Sequence, residues 1–158
     1  YDFTQLYRNE NEYEYDFIGN IVKEVSQKIN PTVLHVADYT VGLEFRMKEV
    51  SLLLNLESGG VHMVGIHGVG GVGKTTLARA IYNLIADQFE ALCFLDNVRE
   101  NATKDGLVHL QETLLSKTIG EKGIKLGSTK EAIPTIKHRL HRKKVLLVLD
   151  DVDNLDQL

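Results

Sequence analysis

The stretch GVGGVGKTT, residues 68–76, satisfies two phosphate-binding patterns at once. Gly68, Gly70 and Gly73 fit G-x-G-x-x-G, which is typical of dinucleotide sites. Gly68 and Gly73, followed by Lys74 and Thr75, fit G-x-x-x-x-G-K-[ST], the P-loop pattern of nucleoside triphosphate sites. Glycines allow backbone conformations closed to other residues, so that several N–H groups converge on one anion. The residues of this stretch that we predict to bind a nucleotide are Gly68, Gly70, Gly71, Val72, Gly73, Lys74, Thr75 and Thr76.

The side chains that follow the glycines distinguish the two patterns. A dinucleotide site needs no cation there, but it uses an acid near the end of the second strand to bind the ribose, and Asp96 stands in that place. A triphosphate requires more positive charge, which Lys74 would supply, and a hydroxyl for Mg²⁺, which Thr75 would supply.

A second motif favours the triphosphate. The stretch VLLVLDD, residues 145–151, is an apolar strand followed by two acids. We predict that Asp150, together with Thr75, binds Mg²⁺, and that Asp151 is the catalytic residue that orients or activates a water. Two motifs in the expected order favour ATP or ADP with Mg²⁺ over a dinucleotide.

Hydrophobic spacing gives the fold class. Apolar residues recur at three- and four-residue steps in segments 17–29, 43–54, 77–85, 107–115 and 133–140, which predicts helices, the first ended by Pro31 and the last begun by a capping box from Ser128 to Glu131. Short apolar runs predict buried strands at 61–66, 91–95 and 145–149. Strands that alternate with helices predict an α/β fold, a P-loop NTPase-type parallel sheet with flanking helices, preceded by a helical linker.

Composition excludes several classes of function. The net charge of -4 resides in residues 1–16, and the rest of the chain is balanced, so we expect no nucleic-acid partner. The longest apolar run near the end of the chain has only five residues, against the roughly 20 of a membrane span. The single cysteine, Cys93, lies in an apolar run and is expected to be a buried, inert thiol in a reducing compartment.

Four segments together resemble the nucleotide-binding (NB-ARC) region of plant disease-resistance receptors of the class with an N-terminal TIR domain. These segments are HVADYTVGLEFRMKEV at 35–50, GIHGVGGVGKTTLARAIYN at 65–83, FLDNVRE at 94–100 and RKKVLLVLDDVD at 142–153. The resemblance implies that residues 1–36 are the end of a TIR domain and a helical linker, and that residues 37–158 are the N-terminal part of the NB-ARC domain. It also implies that Val41 and Gly42 lie near the adenine.

The resemblance further implies a switch that binds ADP at rest and ATP when active, with slow hydrolysis. TIR and leucine-rich-repeat domains of the same receptor, and self-association on activation, are the implied partners, in the cytoplasm or the nucleus. In that superfamily a later strand lies between the P-loop strand and the strand before Asp150, so we expect a sheet truncated after the latter and a marginally stable fragment. Two alternatives remain open here: a constitutive ATPase or kinase, and an adaptor that acts only through protein contacts.

Overall fold

The computed structural model describes residues 14, 17–19, 33–38, 41–102, 106–121 and 123–158. The chain divides into two compact units, Tyr1–Val33 and Leu34–Leu158. In the first unit residue 14 and residues 17–19 are helical, and the rest of the helix predicted over 17–29 lies outside the described residues. Within the ranges given above, no helix combines the length and the hydrophobicity that crossing a bilayer requires.

The second unit alternates helices and strands, as the hydrophobic spacing predicts. Its elements are α1 (Leu43–Leu54), α2 (Lys74–Ile85), β1 (Ala91–Leu95), α3 (Val98–Asn101), α4 (Gly106–Ile119), α5 (Thr129–Leu140) and β2 (Val145–Leu149), with single 3-10 turns at Ala86–Gln88 and Leu155–Gln157. The α/β fold class is thereby confirmed.

The two strands pair in parallel, with Ala91 opposite Val145 and Leu95 opposite Leu149. Successive side chains of a strand point to opposite faces of the sheet. Phe94 and Leu146 accordingly join α2 residues in one hydrophobic cluster, whereas Cys93 joins Leu114 of α4 in a second cluster. Helices α1 and α2 therefore cover one face of the sheet, and α4 and α5 cover the other.

The segment 61–66, predicted as a buried strand, is not a strand in the structure. A strand is held by hydrogen bonds to a neighbouring strand, and no described strand lies beside this segment. The side chains of Val61 and Met63 are 90% and 79% exposed, although Ile66 packs against the α2 cluster. The prediction of a buried strand at 61–66 is therefore wrong, although the segment precedes the glycine loop as predicted.

The start of α5 differs in one detail from the predicted capping box. The Ser128 hydroxyl accepts a hydrogen bond from the Glu131 N–H at 3.3 Å, as predicted. The Glu131 carboxylate, however, accepts from the N–H of Gly127 at 2.9 Å rather than from that of Ser128. Both bonds still satisfy free N–H groups at the helix start, so the predicted boundary is correct.

Cys93 is 0% exposed, in the middle of β1. Burial raises the pKa of its thiol to about 11, and the nearby Lys117 ammonium only partly opposes this shift. Since the thiolate is the reactive form, the structure confirms a buried thiol of low reactivity.

Candidate nucleotide-binding site

The glycine loop adopts the backbone conformation that its sequence favours. Gly71 has a φ of 79° and Gly73 a φ of 89°, both in the left-handed region that side chains disfavour. Gly73 is the residue before α2, and its carbonyl accepts the first helical hydrogen bond, from the N–H of Leu77 at 2.9 Å. The loop therefore leads directly into a helix N-terminus, where unpaired N–H groups and the helix dipole favour an anion.

Lys74 folds back over this loop. Its Nζ donates to the carbonyl oxygens of Gly68 and Val69, each at 2.9 Å. An ammonium has three donors, so one remains for a ligand while the other two hold the loop. Gly68 thus serves the site through its carbonyl group, which fixes the position of the lysine.

Thr75 and Asp150 meet although 75 residues separate them in sequence. The Thr75 hydroxyl lies 2.9 Å from Oδ1 and 3.1 Å from Oδ2 of Asp150, and it donates to the carboxylate. Asp150 is held in place because its own N–H donates to the carbonyl of Leu95 at 2.9 Å, which continues the sheet ladder by one residue. The first turn of α2 and the tip of β2 therefore face each other across a short gap.

A cavity of about 440 Å³ opens between these elements. Its lining includes Lys74, Thr75, Asp150 and Asp151, so the structure brings the predicted cation, hydroxyl and two acids into one place. The remaining lining residues are Gly70, Gly71, Gly73, Thr76 and Asn97. A cavity with backbone amides, one ammonium and two carboxylates suits a polyphosphate that carries a divalent cation.

A second cavity of about 270 Å³ adjoins the first. Val41 and Val72, both predicted site residues, line it, while Gly42 lies next to Val41 as the left-handed residue before α1, with a φ of 70°. The two cavities share Gly71, Gly73 and Thr76. The lining of the second cavity combines apolar side chains with the polar side chains of Arg46 and Thr76, which suits the apolar faces and polar edges of a nucleobase.

Several lining residues were not predicted from sequence. In the second cavity these are Ala37, Leu43, Arg46 and Leu77; in the first, Asn97. Arg46 could have been found because it lies one helical turn from Gly42, at i+4. Asn97 could have been found because it follows β1, and the carboxyl ends of parallel strands meet at one edge of the sheet, where ligands bind.

Two further sequence features lie outside the site. Asp96, the candidate ribose-binding acid of the dinucleotide alternative, lines neither cavity and instead forms an ion pair with Arg79 at 2.8 Å. The rings of His138 and His141 lie 6.1 Å apart on the exposed end of α5. The described part of the chain contains no group of three or more side chains able to bind a metal ion through His, Cys, Asp and Glu alone.

Comparison with known proteins agrees with this geometry. Residues 45–158 match the NB-ARC domain family. The chain is 41% identical over 150 residues to disease resistance protein RPV1 of Vitis rotundifolia, covering 94% of this chain and 11% of that protein. It is 42% identical over 147 residues to the putative disease resistance protein At4g11170 of Arabidopsis thaliana, covering 89% of this chain and 13% of that protein.

A third relative, the TMV resistance protein N of Nicotiana glutinosa, is 37% identical over 154 residues, with 94% of this chain and 13% of that protein covered. The chain thus spans between 11% and 13% of the length of these three relatives. The matched region includes Lys74 and Thr75 at the start of α2 and the two acids that they face at the tip of β2. This chain belongs to the NB-ARC family of nucleotide-binding domains found in plant disease-resistance proteins.

Proposed function

We propose that the chain is the nucleotide-binding part of a switch that holds ADP at rest and ATP when active. The observation that supports this most is the hydrogen bond from Thr75 to Asp150, in the same cavity as the Lys74 ammonium. The lysine's remaining donor and the loop N–H groups would bind the phosphates. The second cavity, which Val41 and Val72 line, would hold the base.

The residues present also fit Mg²⁺. Magnesium prefers oxygen ligands and is usually bound by one or two protein oxygens together with phosphate and water. Thr75 Oγ1 and the Asp150 carboxylate are two such oxygens, already side by side. When bound, the ion would neutralise charge on the β- and γ-phosphate oxygens. Thr75 and Asp150 would hold it, and Asp151 would accept a proton from the attacking water.

One experiment tests the switch against the constitutive ATPase or kinase. The full-length protein that contains this chain is purified, its bound nucleotide is identified by chromatography after denaturation, and phosphate release is followed over many turnovers. We expect bound ADP and a turnover below ~0.01 s⁻¹, slow beside the ~1–100 s⁻¹ of kinases. Fast phosphate release that Asp151→Asn abolishes would instead establish the enzyme, and a protein that contains no nucleotide and takes up none would support the adaptor.

The place of this domain in a larger protein is a further part of the proposal. The relatives are named as disease-resistance proteins and are several times longer than this chain. We propose that a TIR domain precedes the described unit, that leucine-rich repeats follow it, and that the complete receptor resides in the cytoplasm or nucleus and self-associates on activation. Sequencing the complete transcript tests the domain order, and a coding region without leucine-rich repeats would contradict it.

A further inference from the structure

Asp151 has an unusual backbone conformation. Directly after Asp150 its φ is 58°, in the left-handed region. Aspartate is among the few residues other than glycine that tolerate this region. A residue stays there only where its surroundings hold it, so the groups that contact Asp151 decide where its carboxylate lies.

Arg99 makes two of these contacts. Its backbone N–H donates to the carbonyl oxygen of Asp151 at 3.0 Å, and its guanidinium Nη2 lies 3.0 Å from Asp151 Oδ2. The neighbouring N–H of Val98 donates to the carbonyl oxygen of Asp150 at 2.9 Å. The first N–H groups of a helix lack partners within the helix. In α3 the first N–H groups donate to the backbone carbonyl oxygens that follow β2. These hydrogen bonds place the Arg99 side chain beside the Asp151 carboxylate.

We propose that Arg99 is a positioning residue for ATP hydrolysis that acts through Asp151. This inference rests on the function proposed above. The guanidinium binds Oδ2 and so fixes the carboxylate, which leaves Oδ1 to accept a proton. In the reaction the water oxygen bonds to the γ-phosphorus, and the bond from that phosphorus to the β–γ bridging oxygen breaks. ADP leaves with the electron pair of that bond, and the proton of the water passes to Oδ1.

Stability does not explain the contact. The side chains of Arg99 and Asp151 are 54% and 40% exposed, and ion pairs in such settings contribute little to the free energy of folding. A second arginine–aspartate pair, which serves as the comparison, lies at the same edge of the sheet, where Arg79 contacts Asp96 at 2.8 Å and also lies 5.8 Å from the centre of the Phe94 ring. Neither residue of that pair lines the cavity of the two acids. Loss of the Arg99 pair should therefore affect the fold no more than loss of the Arg79 pair, whereas only loss of the Arg99 pair should affect hydrolysis.

The test compares Arg99→Gln with Arg79→Gln in the full-length protein, by single-turnover hydrolysis of bound ATP and by titration of ADP. We expect Arg99→Gln to slow hydrolysis about tenfold or more, because a misplaced catalytic group loses much of its rate enhancement. ADP affinity should stay within about twofold, since Arg99 does not line the cavity. Arg79→Gln should leave both quantities within about twofold. Arg99→Lys, which keeps the charge, should recover part of the lost rate.

A double variant shows whether Arg99 acts through Asp151. In an Asp151→Asn background, Arg99→Gln should cause no further loss of rate, because the group that it positions is already gone. The inference is overturned if Arg99→Gln and Arg79→Gln give the same rate, or if Arg99→Gln slows the Asp151→Asn protein further. Failure of the underlying function looks different: the unaltered protein and its Lys74→Met variant would then bind ADP equally.

Discussion

The replacement of Lys74 by methionine isolates the contribution of one ammonium group. Methionine keeps the unbranched side chain and a similar helix propensity, so the start of α2 should persist. The two hydrogen bonds to Gly68 and Val69 are exposed, and water can replace them at those carbonyl groups. The main loss is the third donor, which we assign to a phosphate oxygen.

The expected loss of ADP affinity follows from the strength of a hydrogen bond between the ammonium and a charged phosphate oxygen. A hydrogen bond to a charged group contributes about 1.5–3 kcal/mol, which corresponds to about 10–150-fold in the dissociation constant. Isothermal titration of the full-length protein with ADP, in the presence of Mg²⁺, measures it. We expect Lys74→Met to weaken ADP binding by a factor in this range.

Lys117 provides the control. Its Nζ also donates to a backbone carbonyl, that of Phe94 at 2.8 Å, but it lines neither cavity. Lys117→Met should therefore leave ADP affinity within about twofold, because it removes a lysine–carbonyl bond without touching the phosphate site. Unchanged ADP binding by Lys74→Met would refute our assignment of the ammonium, and equal losses in both variants would show that an effect on the fold explains the result.

Four further predictions concern Thr75, Leu115 and Cys93. Thr75→Val removes the hydroxyl beside Asp150 but keeps the shape of the side chain. Titrations with ADP, with and without Mg²⁺, should show that this variant reduces the magnesium-dependent part of the affinity about tenfold. The control Thr75→Ser, which keeps a hydroxyl, should reduce it about twofold at most. Leu115 is 0% exposed, so Leu115→Ala should lower the free energy of unfolding, measured by denaturant titration, by about 2–5 kcal/mol. A loss under ~1 kcal/mol would contradict the packing described. Iodoacetamide at neutral pH should leave the Cys93 thiol unmodified until the chain unfolds, since its pKa is raised to about 11. Because the unfolded thiol ionises first, near about pH 8.5, its contribution to stability should be present below that pH and be lost as the pH rises toward about 11. Melting curves should show a smaller fall in Cys93→Ala, in which Tyr82, whose pKa is also raised by burial, still contributes.

The elements that the sequence predicted correctly are those set by local rules. Leu107 to Leu115 repeat with helical spacing, and the structure places a helix there. The run 145–149 is apolar at every position, and it forms the predicted strand and pairs in parallel with β1, although only Leu146 of its five residues is buried. The meeting of Thr75 with Asp150 was also predictable, because the P-loop and the acid at a strand tip each require the other.

The remainder depends on contacts that no local pattern encodes. The segment 61–66 has the composition of a strand, but pairing requires a neighbour, and its own residues do not specify one. Leu147, within the apolar run, is 41% exposed, which hydrophobicity alone would not predict. Arg99 follows a strand in a charged stretch, and only the fold shows that α3 brings it to Asp151.

The two cavities share three lining residues, Gly71, Gly73 and Thr76, and therefore lie side by side. A ligand whose two ends occupy both cavities would bind its second end as an intramolecular event, at the high effective concentration that the covalent link provides. The binding free energy of adenosine alone, and that of pyrophosphate alone, should therefore each be well below half of the binding free energy of ADP. Because the ribose links the base to the phosphates, ADP would gain the affinity that its separate parts lack. We therefore expect the domain to bind ADP in preference to the abundant inorganic phosphates of the cell.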